Sequence, residues 1–251
     1  IRGESCEVVN AVADASPAAI RHASTDGSLP LHQACTHSSE EVVRALISRD
    51  PSALGKQTEV GEYPASLAAR RGVVSIMRAI LEAPQSTPLE ALDGCMHIAC
   101  EHAGPAMVQL IAQHRPEALM AKRSTVTPNA TPAAIFGTAA STSPDGALPV
   151  HIVCRRHGTM EHNAQCMFNV VVDALRSNGK LDEALMTADW KGKLPLHIVL
   201  GERAISEETF INLMTESGTF NRALAVADTS GMLPIHCLQC QSIKVIKAIV
   251  D

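Results

Sequence analysis

The sequence predicts an all-α solenoid of stacked helix-turn-helix units joined by short hairpin-like turns, and three observations predict it. A Leu-Pro-Leu-His segment returns along the chain, each strong copy just behind a glycine, and each followed by a longer stretch with helical apolar spacing. The strong copies are GSLPLHQAC from Gly27, GALPVHIVC from Gly146, GKLPLHIVL from Gly192 and GMLPIHCLQ from Gly231. Weaker ones are GEYPASLAA from Gly61 and CMHIAC from Cys95. The histidine-equivalent positions are 32, 66, 97, 151, 197 and 236, giving steps of 34, 31, 54, 46 and 39 residues. Self-similarity at about 20–50 residues marks units that bury their apolar faces against neighbouring units. Function on such a frame is expected on an extended surface instead of in a pocket.

Each element follows from local chemistry. Before every proline lies a polar stretch with glycine: Ser24–Gly27, Thr58–Gly61, Asp189–Gly192 and Asp228–Gly231. Glycine tolerates positive φ there, while Asp and Ser favour turns. Pro30, Pro64, Pro149, Pro195 and Pro234 then fit the first helical position, where the missing N–H has no intrahelical partner to lose. A short helix follows, such as 31–36. A second, longer helix is expected over 40–49, with Val42, Val43, Leu46 and Ile47 on one face. Its counterparts are expected over 73–81, 106–113, 167–175, 209–214 and 243–250. Behind several of these comes Pro17-Ala18-Ala19-Ile20, Pro51-Ser52-Ala53-Leu54, Pro116-Glu117-Ala118-Leu119, Asp182-Glu183-Ala184-Leu185 or Asn221-Arg222-Ala223-Leu224, read as connecting loop. Ile20, Leu54, Leu185 and Leu224 each precede the next histidine-equivalent position by 12 residues.

Turn, short helix opening Pro-Leu-His-x-Ala, longer helix and connecting loop resemble the ankyrin repeat, over nearly the whole chain. The family opens its tetrapeptide with Thr; here Leu29, Leu148, Leu194 and Leu233 stand in that place, marking a divergent subtype. The hydroxyl that would cap the short helix is therefore missing, and another group must satisfy those N–H donors. The resemblance implies that His32, His97, His151, His197 and His236 hold their turns by hydrogen bonds. The expected organisation is a single domain of about six or seven units over 1–251: a partial unit 1–17, then 18–51, 52–84, 85–116, 144–181, 182–220 and 221–251. A degenerate repeat or inserted loop occupies 117–143. Ahead of His97 the hairpin is expected to be deleted, because Pro88 to Leu92 runs directly into Gly94.

Composition narrows the function. The chain has 251 residues, 46% hydrophobic but only 2% aromatic, so the core must be aliphatic. A net charge of −5 disfavours general nucleic-acid binding, which needs a basic stripe. No apolar run reaches the roughly 18–20 residues of a membrane span. Cys35, Cys100 and Cys154 occupy equivalent repeat positions. Stacked helices lie about 8–10 Å apart, whereas a disulfide needs Cα atoms within about 7 Å, so these are expected to be reduced and buried. That favours an intracellular site, in cytoplasm or an organelle.

Several chemistries can be set aside. His32-x-x-Cys35, His97-x-x-Cys100 and His151-x-x-Cys154 look like metal half-sites, but a zinc ion needs four converging ligands and these pairs recur once per unit. No nucleophile–base arrangement, phosphate-binding loop or HExxH motif is present. No enzymatic activity, cofactor, metal or small-molecule substrate is expected. Partner binding is the alternative, and its candidates are Arg70, Arg71, Arg155 and Arg156, which could grip acidic groups bidentately, with Trp190 and Lys191 at a hairpin tip. The ends carry no obvious caps, so the stack is expected to continue or to abut another chain. The predicted role is a non-catalytic interaction module, a scaffold or assembly subunit whose partners are other protein chains. The alternative is a regulatory ankyrin region of a larger enzyme or channel.

Overall fold

The computed structural model describes residues 2–83, 89–122, 146–155, 161–201 and 206–238. The body of the 117–143 segment, Arg156 and the expected closing helix over 243–250 lie outside the described residues. The chain falls into two compact units, residues 1–114 with 125–142, and residues 115–124 with 143–251.

The first unit is a two-layer stack of helices. α1 (Arg2–Ala15), α3 (Glu40–Arg49), α5 (Val74–Leu81) and α7 (Pro105–His114) form one layer, each packed on the next. The other layer is α2 (Pro30–His37), α4 (Pro64–Arg71) and α6 (Leu89–His102), again packed in sequence. α3 shows why the layers adhere. Val42, Val43, Leu46 and Ile47 are each no more than 6% exposed, and each such burial contributes about 2 kcal/mol. Short helices lean on one another through small side chains: Ala65, Ala68, Ala69, Ala99 and Cys100 are wholly buried.

The second unit repeats the plan with α8 (Pro149–Arg155), α9 (Glu161–Ser177), α10 (Leu181–Leu185), α11 (Pro195–Gly201), α12 (Glu207–Glu216) and α13 (Phe220–Leu224), ending in a 3-10 turn over Pro234–Cys237. α8 packs on α11, and α11 on that turn. Phe168 of α9 meets Phe210 of α12 with ring centroids 5.7 Å apart, and both are buried. No strand occurs among the described residues.

Three sequence expectations are refined. The stretches read as connecting loop wind into single helical turns: Ala19–Arg21, Pro51–Gly55, Pro116–Leu119, α10 and α13. Their Ala-Leu pairs, such as Ala53-Leu54, Ala118-Leu119 and Ala184-Leu185, are buried as small apolar plugs. The missing hairpin before His97 is replaced by helix, α6 running unbroken through Gly94. α9 starts six residues before the expected 167, because Glu161–Cys166 is helix-compatible yet carries no apolar stripe.

Cys35, Cys95, Cys100 and Cys154 are buried and outside any disulfide. Burial, outweighing the nearby Arg71 charge, pushes the Cys35 thiol up to about 12, which makes it an inert core residue.

Candidate partner-binding surface

The hairpins repeat one hydrogen-bonding scheme. The N–H groups of Ser24, Thr58, Asp189 and Asp228 donate to the carbonyls of Ser28, Glu62, Lys193 and Met232 at 2.8–3.0 Å. The N–H groups of Gly27, Gly61, Gly192 and Gly231 donate back to the first residue of each turn at 2.9–3.0 Å. Neighbouring hairpins are stitched together as well. Glu59 N–H donates to the Asp26 carbonyl, and Thr229 N–H to the Lys191 carbonyl, each at 2.9 Å. Gly192 is required twice over: its φ is +71°, and a Cβ there would sit 2.8 Å from the Thr229 nitrogen.

Acidic side chains brace these turns from inside. Asp189 Oδ1 accepts from the N–H groups of Lys191 and Lys193, both at 2.9 Å. Asp228 Oδ1 accepts from Ser230 and Met232 N–H at 2.8 and 2.9 Å, and these amides hold its carboxyl below the usual range. Asp26 takes the same role through Ser24 and Ser28, whose donors pull its pKa down to about 2.

The absent threonine cap is replaced by the histidine three residues later. Nδ1 of His32, His151, His197 and His236 accepts from the N–H of Leu29, Leu148, Leu194 and Leu233 at 2.9–3.1 Å. Each histidine N–H closes the loop onto the carbonyl of the same leucine at 2.9–3.0 Å. With Nδ1 accepting, the ring proton of the neutral form sits on Nε2. His32 and His197 donate it to the carbonyls of Lys56 and Met232 in the following repeat, both at 3.1 Å. Burial holds both rings below the ordinary histidine pKa, against the opposing pull of those carbonyls. His151 is fully buried and its pKa falls to about 4, yet its Nε2 has no well-formed hydrogen bond among the described residues. These rings are fasteners, both nitrogens occupied by backbone in His32 and His197, which leaves neither free for proton transfer or a metal. Among the described residues no three His, Cys, Asp or Glu side chains gather as a metal site would need.

The arginine candidates fall in different places. Arg71 Nη1 donates to the Cys35 and Ser38 carbonyls at 3.3 and 2.7 Å, closing the C-terminal end of α2. Arg155 pairs with Asp189 across 3.2 Å, against a carboxylate with no side-chain exposure. Both guanidinium groups buttress the neighbouring repeat. Arg70, exposed like Arg71, pairs with Glu62. Arg156 lies outside the described residues. Trp190 is 55% exposed at its hairpin tip, with Lys191 Nζ 5.2 Å from the ring centroid. Trp190, Lys191 and Arg155 belong to the second unit, and Arg70 and Arg71 to the first.

The ankyrin-repeat family model matches residues 26–56. The fold is the ankyrin-repeat fold. Solved structures agree along almost all of the chain. The ankyrin repeat domain of Bcl-3, described as a unique member of the IkappaB family, superposes with a TM-score of 0.65 at 18% identity, covering 98% of this chain and 92% of that one. The human ASB11 ankyrin repeat domain gives a TM-score of 0.59 at 14% identity, covering 98% and 95%. A chain in the complex of the Bdellovibrio bacteriovorus predatory endopeptidase Bd0816 with immunity protein Bd3460 gives 0.57 at 15% identity, covering 91% and 98%. Among curated proteins no sequence matches. Ankyrin repeats generally serve as protein–protein interaction modules. No described helix is long and apolar enough to cross a membrane.

Proposed function

We propose that this chain is a non-catalytic protein-interaction module, a scaffold or assembly subunit that meets its partner with its hairpin tips and short-helix face. One observation carries the reading: the frame repeats while the tips do not. The glycine, proline and most histidine positions recur, and their polar atoms are engaged in holding the stack. At the two residues before the glycine stand Thr25-Asp26, Glu59-Val60, Trp190-Lys191 and Thr229-Ser230, all exposed and, apart from the recurring Thr, chemically unlike one another. An invariant frame with dissimilar exposed side chains supports recognition of another surface, and supports no chemistry common to the repeats. Of the candidate contacts, Arg70, Arg71, Trp190 and Lys191 are exposed and Arg155 is half-buried. Arg71 and Arg155 enter through the turns they hold in place, and Arg156 stays a candidate on its sequence position.

The test replaces Thr25, Glu59, Val60, Trp190, Lys191 and Ser230 by Asn or Ser in one variant, sparing Asp26 and Thr229 because their side chains hold the turns, and compares proteins captured from native extract by quantitative mass spectrometry. Single exposed substitutions change stability by only about 0.5 kcal/mol, so the variant should melt within a few degrees of the parent. The reading predicts loss of the main captured partners. Undiminished recovery of every partner by a folded variant overturns it.

A further inference from the structure

Trp190 is the one tryptophan of the chain and has 55% of its surface in water. Its counterparts at the same hairpin position are Thr25, Glu59 and Thr229, so nothing in the repeat calls for an indole there. An aromatic ring of this size gains free energy only when a second surface covers it. Lys191 lies over the ring, a cation–π contact that restricts where the indole points.

The charges at this hairpin are sorted by depth. The Asp189 carboxylate has no exposure and is satisfied by Arg155 and the amides of Lys191 and Lys193. Asp228, in the hairpin stitched to this one, is buried and satisfied by Ser230 and Met232 amides. The carboxylates thus face inward, whereas Lys191 is exposed over the indole, and Lys193 is half-buried within electrostatic reach of Asp228 and His197. An apolar ring carrying an outward cation is complementary to a segment that offers an apolar side chain next to a carboxylate. The chain's net charge of −5 opposes a polyanion such as nucleic acid, which binds through many phosphate contacts.

We propose that the Trp190–Lys191 hairpin is the docking point for an acidic protein segment bearing an apolar anchor residue. The anchor packs on the open part of the indole, and a flanking Asp or Glu side chain pairs with Lys191. This rests on the hairpin-tip reading above and adds the chemistry of the partner.

Random twelve-residue peptides displayed on phage, selected on the whole chain, provide the probe. Selected peptides should be enriched in Asp and Glu around a Leu, Ile, Met, Phe or Trp. Synthetic versions labelled for fluorescence anisotropy should lose about tenfold or more in affinity for Trp190→Ala and for Lys191→Glu, with partial retention in Trp190→Phe. Both sites are exposed, and unchanged melting confirms that the three variants fold. Peptides that bind equally well to all variants overturn this proposal while leaving the interaction-module reading standing. Enrichment of basic or purely apolar peptides overturns it as well. A single-stranded oligonucleotide that binds as tightly as the peptides and is lost in Lys191→Glu shows a general anion surface and contradicts the proposal. Recovery of no binder counts against both.

Discussion

Both ring nitrogens of His197 are occupied, one by the Leu194 N–H of its own helix and the other by the Met232 carbonyl one repeat on. His236 has the same local bond to Leu233, but its ring is exposed. The two positions therefore separate the fastening bond from the local cap. His197→Ala leaves two backbone groups unpaired in a buried site and should cost about 3 kcal/mol by urea unfolding, against about 1 kcal/mol or less for His236→Ala. Equal costs would show that the inter-repeat bond contributes nothing.

Acid sensitivity follows from the same residues. Unfolded, a histidine ring takes its proton near 6.5, whereas burial lowers His151 to about 4. Between those values the unfolded state binds more protons, so stability is full above about pH 6.5 and is lost as the pH falls toward 4. At 1.36 kcal/mol per unit the loss from this ring is roughly 3 kcal/mol. His32 and His197 shift in the same direction and add to it. Unfolding midpoints measured from pH 7.5 to 4 check this, and ring-nitrogen NMR should show His151 titrating last. A His151 resonance titrating near the ordinary histidine value contradicts the assignment.

At the scale of elements, hairpins hold one another through close backbone approach. Gly192 and Gly218 share nearly the same φ, +71° and +70°, but a Cβ at Gly192 would meet the Thr229 nitrogen at 2.8 Å while at Gly218 it meets nothing within 4 Å. The φ penalty of about 1 kcal/mol is common to both. Gly192→Ala should therefore cost at least about 1 kcal/mol more than Gly218→Ala, read as the difference in thermal or urea unfolding. Matching losses would mean that hairpin contact is loose. Arg71 ties elements together in another way, through the C-terminal carbonyls of α2, and Arg71→Ala should lower stability by about 1 kcal/mol.

Most helices were legible because proline, histidine and apolar spacing are local signals. The 40–49 helix is observed with those bounds. What escaped were elements without such marks: the leading turns of α9, whose face is polar, and the one-turn plugs, too short for any period to register. The candidate site was legible in part. An exposed tryptophan at a tip follows from the turn alone. The destinations of Arg71 and Arg155 do not, because Ser38 and Asp189 lie 33 and 34 residues away, a distance only the stacking brings together. The Thr-to-Leu departure was visible, but not that the histidine and the leucine's own carbonyl complete the cap.

For the whole molecule, each of the two units is built from neighbours that shield one another, and polar groups inside are consumed by the frame. Damage in one unit should therefore be felt locally. Phe210→Ala removes the ring that meets Phe168 and should cost about 3–5 kcal/mol. Amide exchange in that variant should rise across α9–α13 while α2–α5 keep their protection; uniform loss would show a single cooperative block.

The central claim is that the repeated residues build the frame and the dissimilar tip residues make contact. Hydrogen exchange of the chain with and without a captured partner tests it most directly. The account predicts new protection at residues 24–27, 58–61, 189–192 or 228–231 and along the short helices α2, α4, α8 or α11. Protection confined to the long helices α3, α5 and α12, with every hairpin unchanged, would contradict it.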